Sequence, residues 1–234
     1  MNLIIDIGGT HFRIFYLNKV SKFKHKIISK KNMFELIEKE IKKIIVNNDV
    51  KFKKLIIALP GIVKNNKLYE CNNLKFLNYT DLPKNICNLK CIYINDGDLS
   101  LLGELKYNKL DKDKTILNLI IGTGVGCAIW CNNDILYNSE VVIIFEKYLG
   151  GKVFNKNKLL EIKENFINDL SKIVELLNID IILLNGFIKN YDKLVINKND
   201  LKIRDFYKDK LQIIFSDCKE PVLFGGINYD LYFI

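Results

Sequence analysis

The order of apolar and polar positions divides the chain into strand-like and helix-like segments. Short apolar runs of strand length alternate with longer segments in which apolar residues recur every three or four positions. The clearest helical segment is 32–47, in which Phe34, Ile37, Ile41 and Ile44 recur at the spacing of a helix with one buried face. This alternation is typical of an α/β protein.

The predicted elements form two halves with a similar theme. The first half predicts strands 3–7, 12–18 and 24–28, helix 32–47, strand 54–59, a hairpin-like segment 62–69, strand 91–94 and helix 98–107. The second half predicts strands 116–121 and 126–131, helices 145–155 and 159–177, strands 180–184 and 212–215, and a last helix from Pro221. A polar stretch, 108–114, separates the halves. We therefore expect two lobes, residues 1–107 and 108–234, with ligands bound between them at the carboxyl ends of strands.

The composition supports an ordered globular protein. Of the 234 residues, 49% are apolar, 11% aromatic and 27% charged, and there are only 3 Pro and 13 Gly. The longest apolar runs, such as 55–60 and 115–121, are far shorter than the ~20 residues of a membrane helix. The first predicted strand follows the N-terminus without a signal-peptide pattern. We expect a cytoplasmic protein with no membrane partner.

The charge of the chain favours small anions over nucleic acids as ligands. The formal net charge is +9, but all but two of the 36 basic residues are Lys, and the exceptions are Arg13 and Arg204. Recognition of base edges depends on Arg side chains, and the lysines are spread along the whole chain. We predict no nucleic-acid partner, and small polyanionic molecules remain candidate ligands.

The cysteines predict a reducing compartment and no structural zinc. No two of the six Cys residues have the two-residue separation of zinc knuckles. They lie in apolar surroundings, which is typical of core cysteines.

Two glycine-rich segments predict a phosphate site. Asp6-Ile7-Gly8-Gly9-Thr10 ends the first strand, and Gly122-Thr123-Gly124-Val125-Gly126 lies between two strands of the second half. Glycines let the backbone approach a phosphate, Thr hydroxyls and N–H groups donate to it, and Asp6 can hold a hydrated magnesium ion. The first segment alone is equally well explained as a hairpin turn. One such loop in each lobe indicates a clamp on the phosphates of a nucleotide.

The order of these motifs resembles that of bacterial glucokinases and the wider ROK sugar-kinase family. The two glycine loops flank Asn95-Asp96, and the resemblance covers most of the chain. It implies a two-lobed actin-like ATPase (ribonuclease H-like) fold of the sugar-kinase type. The first lobe would carry the first phosphate loop and the catalytic Asp, and the second lobe the second phosphate loop and the adenosine site. The implied activity is transfer of the γ-phosphate of ATP, with Mg²⁺, to a hexose hydroxyl.

The resemblance implies that Asp96 is the base that faces the sugar hydroxyl. An Asp at a strand end before a helix can accept a proton while phosphoryl transfer depends mostly on positioning. An ordinary helix-capping Asp is the alternative.

Less specific matches add residues to the implied sugar site and to the implied ATP site. The residues implied to bind sugar are Asn73, Asn95, Asp96, Glu140 and Glu146. The residues implied to bind ATP are Asp6, Gly8, Gly9, Thr10, Gly122, Thr123, Gly124, Gly126, Asn185, Gly186 and Gly225, with Asp6 supporting magnesium through water.

The chain also departs from the family pattern. ROK kinases usually carry Gly-Glu-x-Gly-His after the second glycine loop, then often a zinc segment, whereas here Tyr137-Asn138-Ser139-Glu140 follows without a His. Neither His11, beside the first phosphate loop, nor His25, which we predict to be a surface strand residue, replaces it by position. We expect a shortened sugar pocket with the phosphate machinery kept.

Other functions stay open on the sequence alone. A kinase for pantothenate or for an acyl sugar would use the same fold. A nucleotide-binding protein without catalysis would keep the loops and lose the acceptor site. A repressor is not favoured, because the sequence starts at the first phosphate strand and leaves no room for a DNA-binding head. The resemblance favours a homodimer.

Overall fold

The structure is a computed structural model of the chain. It describes residues 1–8, 11–17, 19–25, 29–48, 51–71, 74–122, 124–150 and 153–232, without the side chains of Asn48, Glu140, Phe187, Lys189 and Lys193. The chain forms two compact units, residues 1–103 with 220–234 and residues 104–219. The last helix, which we predicted in the second lobe, therefore has its contacts in the first unit.

The strands and helices have the following bounds. The strands are β1 (Asn2–Ile7), β2 (His11–Tyr16), β3 (Lys19–Lys24), β4 (Lys54–Leu59), β5 (Ile62–Lys64), β6 (Lys67–Glu70), β7 (Thr80–Asp81), β8 (Asn85–Ile86), β9 (Leu89–Asn95), β10 (Ile116–Ile121), β11 (Val125–Cys131), β12 (Asp134–Ile135), β13 (Ile181–Gly186) and β14 (Gln212–Phe215). The helices are α1 (Lys30–Asn48), α2 (Asp96–Tyr107), α3 (Ile143–Glu146), α4 (Leu159–Leu177), α5 (Asp205–Lys210) and α6 (Pro221–Asn228). Within the described part of the chain, no helix combines the length and apolarity needed to cross a membrane.

The first unit is built on a six-stranded sheet with the strand order β3-β2-β1-β4-β9-β8. β1, β2 and β3 are antiparallel neighbours, while β1, β4 and β9 run parallel. On one face of this sheet, Leu3 and Ile5 belong to the same buried cluster as Met33, Ile37 and Ile41 of α1. The parallel pairing brings the carboxyl ends of β1, β4 and β9 to one edge, which is where α/β sheets place their ligand sites. A smaller sheet has the order β5-β6-β7.

The second unit repeats this arrangement. Its sheet has the order β12-β11-β10-β13-β14, with β10 antiparallel to β11 and parallel to β13, and β13 parallel to β14. Phe166, Leu170 and Ile173 of α4 belong to one buried cluster together with strands of this sheet and Phe145. Each unit thus contains an antiparallel hairpin followed by parallel strands, which confirms the architectural repetition expected from the sequence.

Two predicted elements are wrong. The third strand was predicted at 24–28 but runs from Lys19 to Lys24, and residues 26–28 lie outside the described part. The helix predicted at 145–155 is limited to the single turn Ile143–Glu146. The chain turns instead at Gly150, whose φ of 100° is a left-handed conformation that ends a helix.

Candidate active site

The first glycine turn joins β1 to β2. The Gly8 N–H donates to the carbonyl of His11 at 2.9 Å, and Gly9 and Thr10 lie outside the described residues. A Cβ added to Gly8 would meet its nearest atom, the His11 carbonyl oxygen, at 3.5 Å, an ordinary contact. Packing within the unit therefore does not require glycine at this position.

The second glycine turn joins β10 to β11. The Gly122 N–H donates to the Gly124 carbonyl at 2.8 Å, and Thr123 lies outside the described residues. A Cβ on Gly124 would meet nothing within 4 Å, and on Gly122 or Gly126 it would meet atoms no nearer than 3.9 or 3.6 Å. In each unit, the turn therefore lies between the central strand and its antiparallel neighbour. A Cβ on any of its described glycines would clash with nothing, and beside Gly124 there is open space.

The other glycines assigned to the nucleotide have a packing role. A Cβ on Gly186 would lie 2.0 Å from the carbonyl oxygen of Ile121, and the residue has a φ of 86°. A Cβ on Gly225 of α6 would lie 1.9 Å from the carbonyl oxygen of Leu99 in α2. The close approach of two backbone segments explains glycine at both positions, and their contact with a nucleotide stays a prediction.

Asp6 is a buried carboxylate with a cationic partner. It lies in β1 opposite Arg13 of β2, is 3% exposed and forms an ion pair with the Arg13 guanidinium. Arg13 Nη1 also lies 3.3 Å from Glu220 Oε2, just before α6. Burial raises the pKa of Asp6, although the charge of Arg13 opposes that rise. Arg13 was not among the predicted site residues, although it is one of two arginines in the chain and that rarity was a sign of a special role.

The loop around Asp96 is fixed by Asn95. The Asn95 Oδ1 accepts hydrogen bonds from the N–H groups of Gly97 and Asp98 at 2.8 and 3.1 Å, as a helix N-cap does. Its Nδ2 donates to the carbonyl of Gly61 at 2.9 Å. Asn95 therefore caps α2, and Asp96, the first residue of that helix, also accepts a hydrogen bond from the Gly97 N–H at 2.9 Å.

The partly buried carboxyl of Asp96 has a raised pKa of about 6. Burial is the main cause and the charge of Asp6 is the second, while the Gly97 N–H and Arg13 act in the opposite direction. A carboxylate with this pKa is ionised near neutrality and can accept a proton.

The remaining residues assigned to the sugar are less well defined. Glu146 is the exposed last residue of α3. Asn73 and the side chain of Glu140 lie outside the described part of the chain. Their roles stay predictions.

His25 does not behave as the surface strand residue we predicted. Its Nε2 lies 2.8 Å from the carbonyl oxygen of Gly8, and its ring packs edge-on against Phe12. The reason is that β3 ends at Lys24, opposite His11, which brings His25 back to the first glycine turn. The second His of the chain thus contacts the backbone of the predicted phosphate loop.

A buried polar network in the second unit was missed by the sequence analysis. Glu104 is fully buried and accepts hydrogen bonds from Asn108 Nδ2 at 2.6 Å, Ser216 Oγ at 2.5 Å and Asn185 Nδ2 at 3.0 Å. The Asn185 Nδ2 also donates to Asn118 Oδ1 at 3.1 Å. The Asn185 amide therefore ties the end of β13 to α2. In the sequence, an Asn within each of the apolar runs that form β10 and β13 was the sign of this buried polar network.

The acidic side chains of the first unit have oxygen donors of the kind that a hydrated magnesium ion takes. Among the described residues, no group of three or more His, Cys, Asp or Glu side chains could hold a metal ion. Mg²⁺ commonly keeps several waters and takes one or two carboxylates together with substrate phosphates. The hard oxygen donors of Asp6 and its charged neighbour Asp96 fit that mode of binding.

A model of the ROK family matches residues 2–140, more than half of the chain. The chain belongs to the ROK family. A search of curated protein sequences gives no match.

Solved structures of sugar kinases share the fold of the chain. A candidate sugar kinase from Cytophaga hutchinsonii has a TM-score of 0.82 at 18% identity, and the inorganic polyphosphate/ATP-glucomannokinase from Arthrobacter sp. strain KM has 0.78 at 18%, with 99% of each chain covered in both cases. The ROK family glucokinase from Streptomyces griseus, in complex with glucose and AMPPNP, has 0.69 at 12%, covering 97% of this chain and 98% of that one. The fold is therefore the actin-like ATPase fold.

Proposed function

We propose that this ROK protein is an ATP- and Mg²⁺-dependent sugar kinase of the glucokinase type. The observation that carries the enzymatic part is Asp96, a partly buried carboxyl with a pKa of about 6 at the carboxyl end of β9. A general base needs a pKa close to the working pH. The names of the structural neighbours, a glucokinase and a glucomannokinase, make glucose and mannose the first acceptors to test.

The two glycine turns support nucleotide binding. A Cβ on the described glycines Gly8, Gly122 and Gly124 would clash with nothing in the fold, and a ligand that approaches the backbone would explain their identity. In this proposal, Gly9, Thr10, Thr123 and Gly126 complete the two phosphate turns. The adenosine lies at Asn185, Gly186 and Gly225.

Magnesium would be held by Asp6 through water, together with the phosphates. When bound, it neutralises charge on the transferred phosphoryl group. Arg13 keeps a positive charge beside Asp6 in the absence of the ion.

Asp96 acts on the acceptor. The sugar hydroxyl oxygen forms a bond to the γ-phosphorus, the bond from that phosphorus to the β-γ bridging oxygen breaks, and the hydroxyl proton passes to Asp96. Asn95 holds Asp96 at the start of α2 through its capping bonds. Asn73, Glu140 and Glu146 are the proposed contacts to other sugar hydroxyls.

A screen of sugars against phosphoryl donors tests the proposal, with sugar phosphate measured directly. Asp96→Asn should lower turnover with the best pair at least ~100-fold, the lower end for a general base. The matched control is Asp205→Asn, the same change at the exposed first residue of α5, which should leave turnover unchanged. Equal turnover in both variants would refute the role of Asp96.

One outcome would favour a non-catalytic protein. The residues after β12 lack the family's His, so binding of Mg-ATP without transfer to any sugar would indicate a nucleotide-binding member of the family. Transfer to pantothenate instead of a sugar would keep the kinase and change the acceptor.

A further inference from the structure

A cavity of about 190 Å³ lies in the first unit, at the opposite end of β1 from the glycine turn. Its lining comes from the start of β1, the end of β2, the residue before β4 and the region of α6. Asn2 begins β1 and Gly8 follows its last residue, so at about 3.3 Å per residue the two are roughly 20 Å apart. The cavity is therefore separate from the candidate active site.

The cavity forms where α6 packs on one face of the sheet. Ile4 of β1 and Phe15 of β2 are opposite each other and buried. Glycine at position 226 lets α6 approach this face, because a Cβ there would lie 2.3 Å from Ile4 Cγ1. Five apolar side chains line the cavity next to this contact: Ile4, Phe15, Leu17, Leu223 and Ile227.

Three polar side chains of the lining lie together at the start of β1. Asn2 Nδ2 lies 3.4 Å from Asp230 Oδ2, and Asp230 forms an ion pair with Lys54, which is opposite Asn2 in the sheet. Lys53 precedes β4, and its N–H donates to the Met1 carbonyl at 2.9 Å. We call Asn2, Lys53 and Asp230 the polar end of the cavity.

Each group of the polar end has bonding capacity left. Asn2 is 7% exposed, and its Oδ1 accepts no hydrogen bond from any described residue, which is unfavourable for a buried acceptor. The hydrogen bond from Lys54 lowers the pKa of Asp230, so Asp230 is ionised and has acceptor sites beyond those that Lys54 and Asn2 use. Lys53 is exposed and forms no ion pair with the acidic side chains that the structure describes.

Two acceptors beside one cation complement a zwitterion. An ammonium group donates to both acceptors and a carboxylate pairs with the cation, and an α-amino acid carries these two groups on one carbon atom. The apolar lining suits an uncharged hydrocarbon side chain. A cavity of about 150 Å³ holds benzene, so this cavity fits a ligand somewhat larger than benzene, such as leucine.

We infer that this cavity binds a free α-amino acid with an apolar side chain of about the size of leucine. Its ammonium group donates to Asn2 Oδ1 and to the Asp230 carboxylate, and its carboxylate pairs with Lys53. Its side chain lies against Phe15, Leu223 and Ile227. A carboxylic acid without the ammonium group would leave Asn2 Oδ1 without a donor. The site does not depend on the proposed kinase function.

Titration of the protein with L-leucine and its analogues, followed by NMR, tests the site. The wild type should bind L-leucine with a Kd of about 1 mM or lower. Isocaproate, which lacks the ammonium group, and isoamylamine, which lacks the carboxylate, should bind about tenfold more weakly or worse. L-glutamate, whose side chain is charged, should also bind about tenfold more weakly or worse, because the apolar lining cannot solvate the second carboxylate.

Two variants assign each end of the ligand to its partner. Asp230→Asn should raise the Kd for L-leucine about tenfold without weakening isocaproate. Lys53→Gln should raise the Kd for L-leucine about threefold to fivefold, since this lysine is exposed, without weakening isoamylamine. The matched control is Lys51→Gln, the same change at an exposed lysine outside the cavity lining, which should bind L-leucine like the wild type.

Four results would overturn the inference. They are no binding of L-leucine by the wild type, isocaproate binding as tight as that of L-leucine, equal weakening in Lys53→Gln and Lys51→Gln, and a dimer that Ile227→Ser dissociates, which would place a second copy of the chain on the cavity. Mg-ATP binding and sugar phosphorylation are measured separately, so a failure of the kinase proposal does not count against the cavity.

Discussion

At the scale of single residues, the burial of Asp96 that suits it to the proposed catalytic role also lowers the stability of the fold. Its pKa rises from 3.8 to about 6 in the folded protein, so the folded state binds the proton more tightly than the unfolded chain does. The free energy of unfolding therefore decreases as the pH rises from about 4 to about 6, and stays low above that range. Through this pKa difference, Asp96 lowers the free energy of unfolding at neutral pH by roughly 3 kcal/mol relative to low pH.

Asp96→Asn should therefore stabilise the protein while it lowers turnover. In magnesium-free buffer, we expect the free energy of unfolding to rise by up to about 3 kcal/mol at neutral pH, and the gain to disappear near pH 4. Urea unfolding of both proteins at the two pH values measures this. A variant that gains as much stability at pH 4 as at neutral pH would contradict the buried, raised-pKa carboxyl.

Arg13 should matter more for stability than its exposure suggests. Asp6 is 3% exposed, and Arg13→Met would leave its carboxylate without a positive partner. Fully buried pairs lose about 3–5 kcal/mol in this way, and since 32% of the Arg13 side chain is exposed we expect about 1–3 kcal/mol. Glu220→Gln, which removes the more exposed partner, should cost less than about 1 kcal/mol in the same urea unfolding assay. Equal losses would show that Asp6 does not depend on Arg13.

At the scale of elements, the glycines divide into those required by packing and those open to a ligand. Gly225→Ala would push a methyl group to within 1.9 Å of the Leu99 carbonyl, so α2 and α6 must separate, and we expect a loss of about 1–3 kcal/mol. Gly124→Ala meets nothing within 4 Å and should leave the melting temperature unchanged.

Gly124→Ala should raise the Kd for Mg-ATP about tenfold or more, because the added methyl group fills the space beside the turn backbone. Thermal unfolding and calorimetric titration of both variants distinguish the two classes of glycine. Unchanged nucleotide affinity in Gly124→Ala would remove the β10–β11 turn from the proposed site.

Two buried serines of the second unit test the Glu104 network. The Ser216 hydroxyl donates to Glu104 and accepts from the Cys218 N–H, while the Ser171 hydroxyl donates to the Ile167 carbonyl and accepts from the Lys202 N–H. Ser216→Ala takes a donor from the fully buried Glu104 carboxyl, and a buried polar group that loses a partner costs about 1–3 kcal/mol, so we expect a loss of about 2 kcal/mol. Ser171→Ala removes hydrogen bonds to the backbone alone and should cost about 1 kcal/mol. Chemical denaturation of both variants measures the two losses, and a larger loss in Ser171→Ala would contradict the importance of the Glu104 network.

The pattern of apolar and polar residues predicted most strands and helices. It was wrong where contacts between distant residues, or a single backbone turn, determine the structure. The periodic segments 32–47 and 159–177 are helices α1 and α4 because each buries a full apolar stripe. The helix predicted at 145–155 fails because the backbone turns at Gly150, which an apolar pattern does not reveal. The strand predicted at 24–28 fails because the β2–β3 pairing selects residues 19–24.

At the scale of the whole molecule, the repeated hairpin-and-parallel-strand arrangement explains why the phosphate turns could be predicted and their partners could not. Each glycine turn is a contiguous motif that follows a strand, so its spacing is readable. Arg13 and His25 meet Asp6 and Gly8 only through strand register, and Glu104 meets Asn185 across 81 positions of sequence. The return of residues 220–234 to the first unit depends on the same long-range packing.

Binding of Mg-ATP should therefore stabilise the whole chain. A ligand at about 100 times its Kd adds about 2.7 kcal/mol to the free energy of unfolding, which corresponds to roughly 5–10 °C for a protein of this size. Millimolar Mg-ATP or Mg-ADP should raise the melting temperature of the wild type. Magnesium alone should not, because Asp6 already has Arg13 as its partner, and Gly124→Ala should lose most of the shift. If neither nucleotide changes the melting temperature at millimolar concentration, the two glycine turns do not form a nucleotide site.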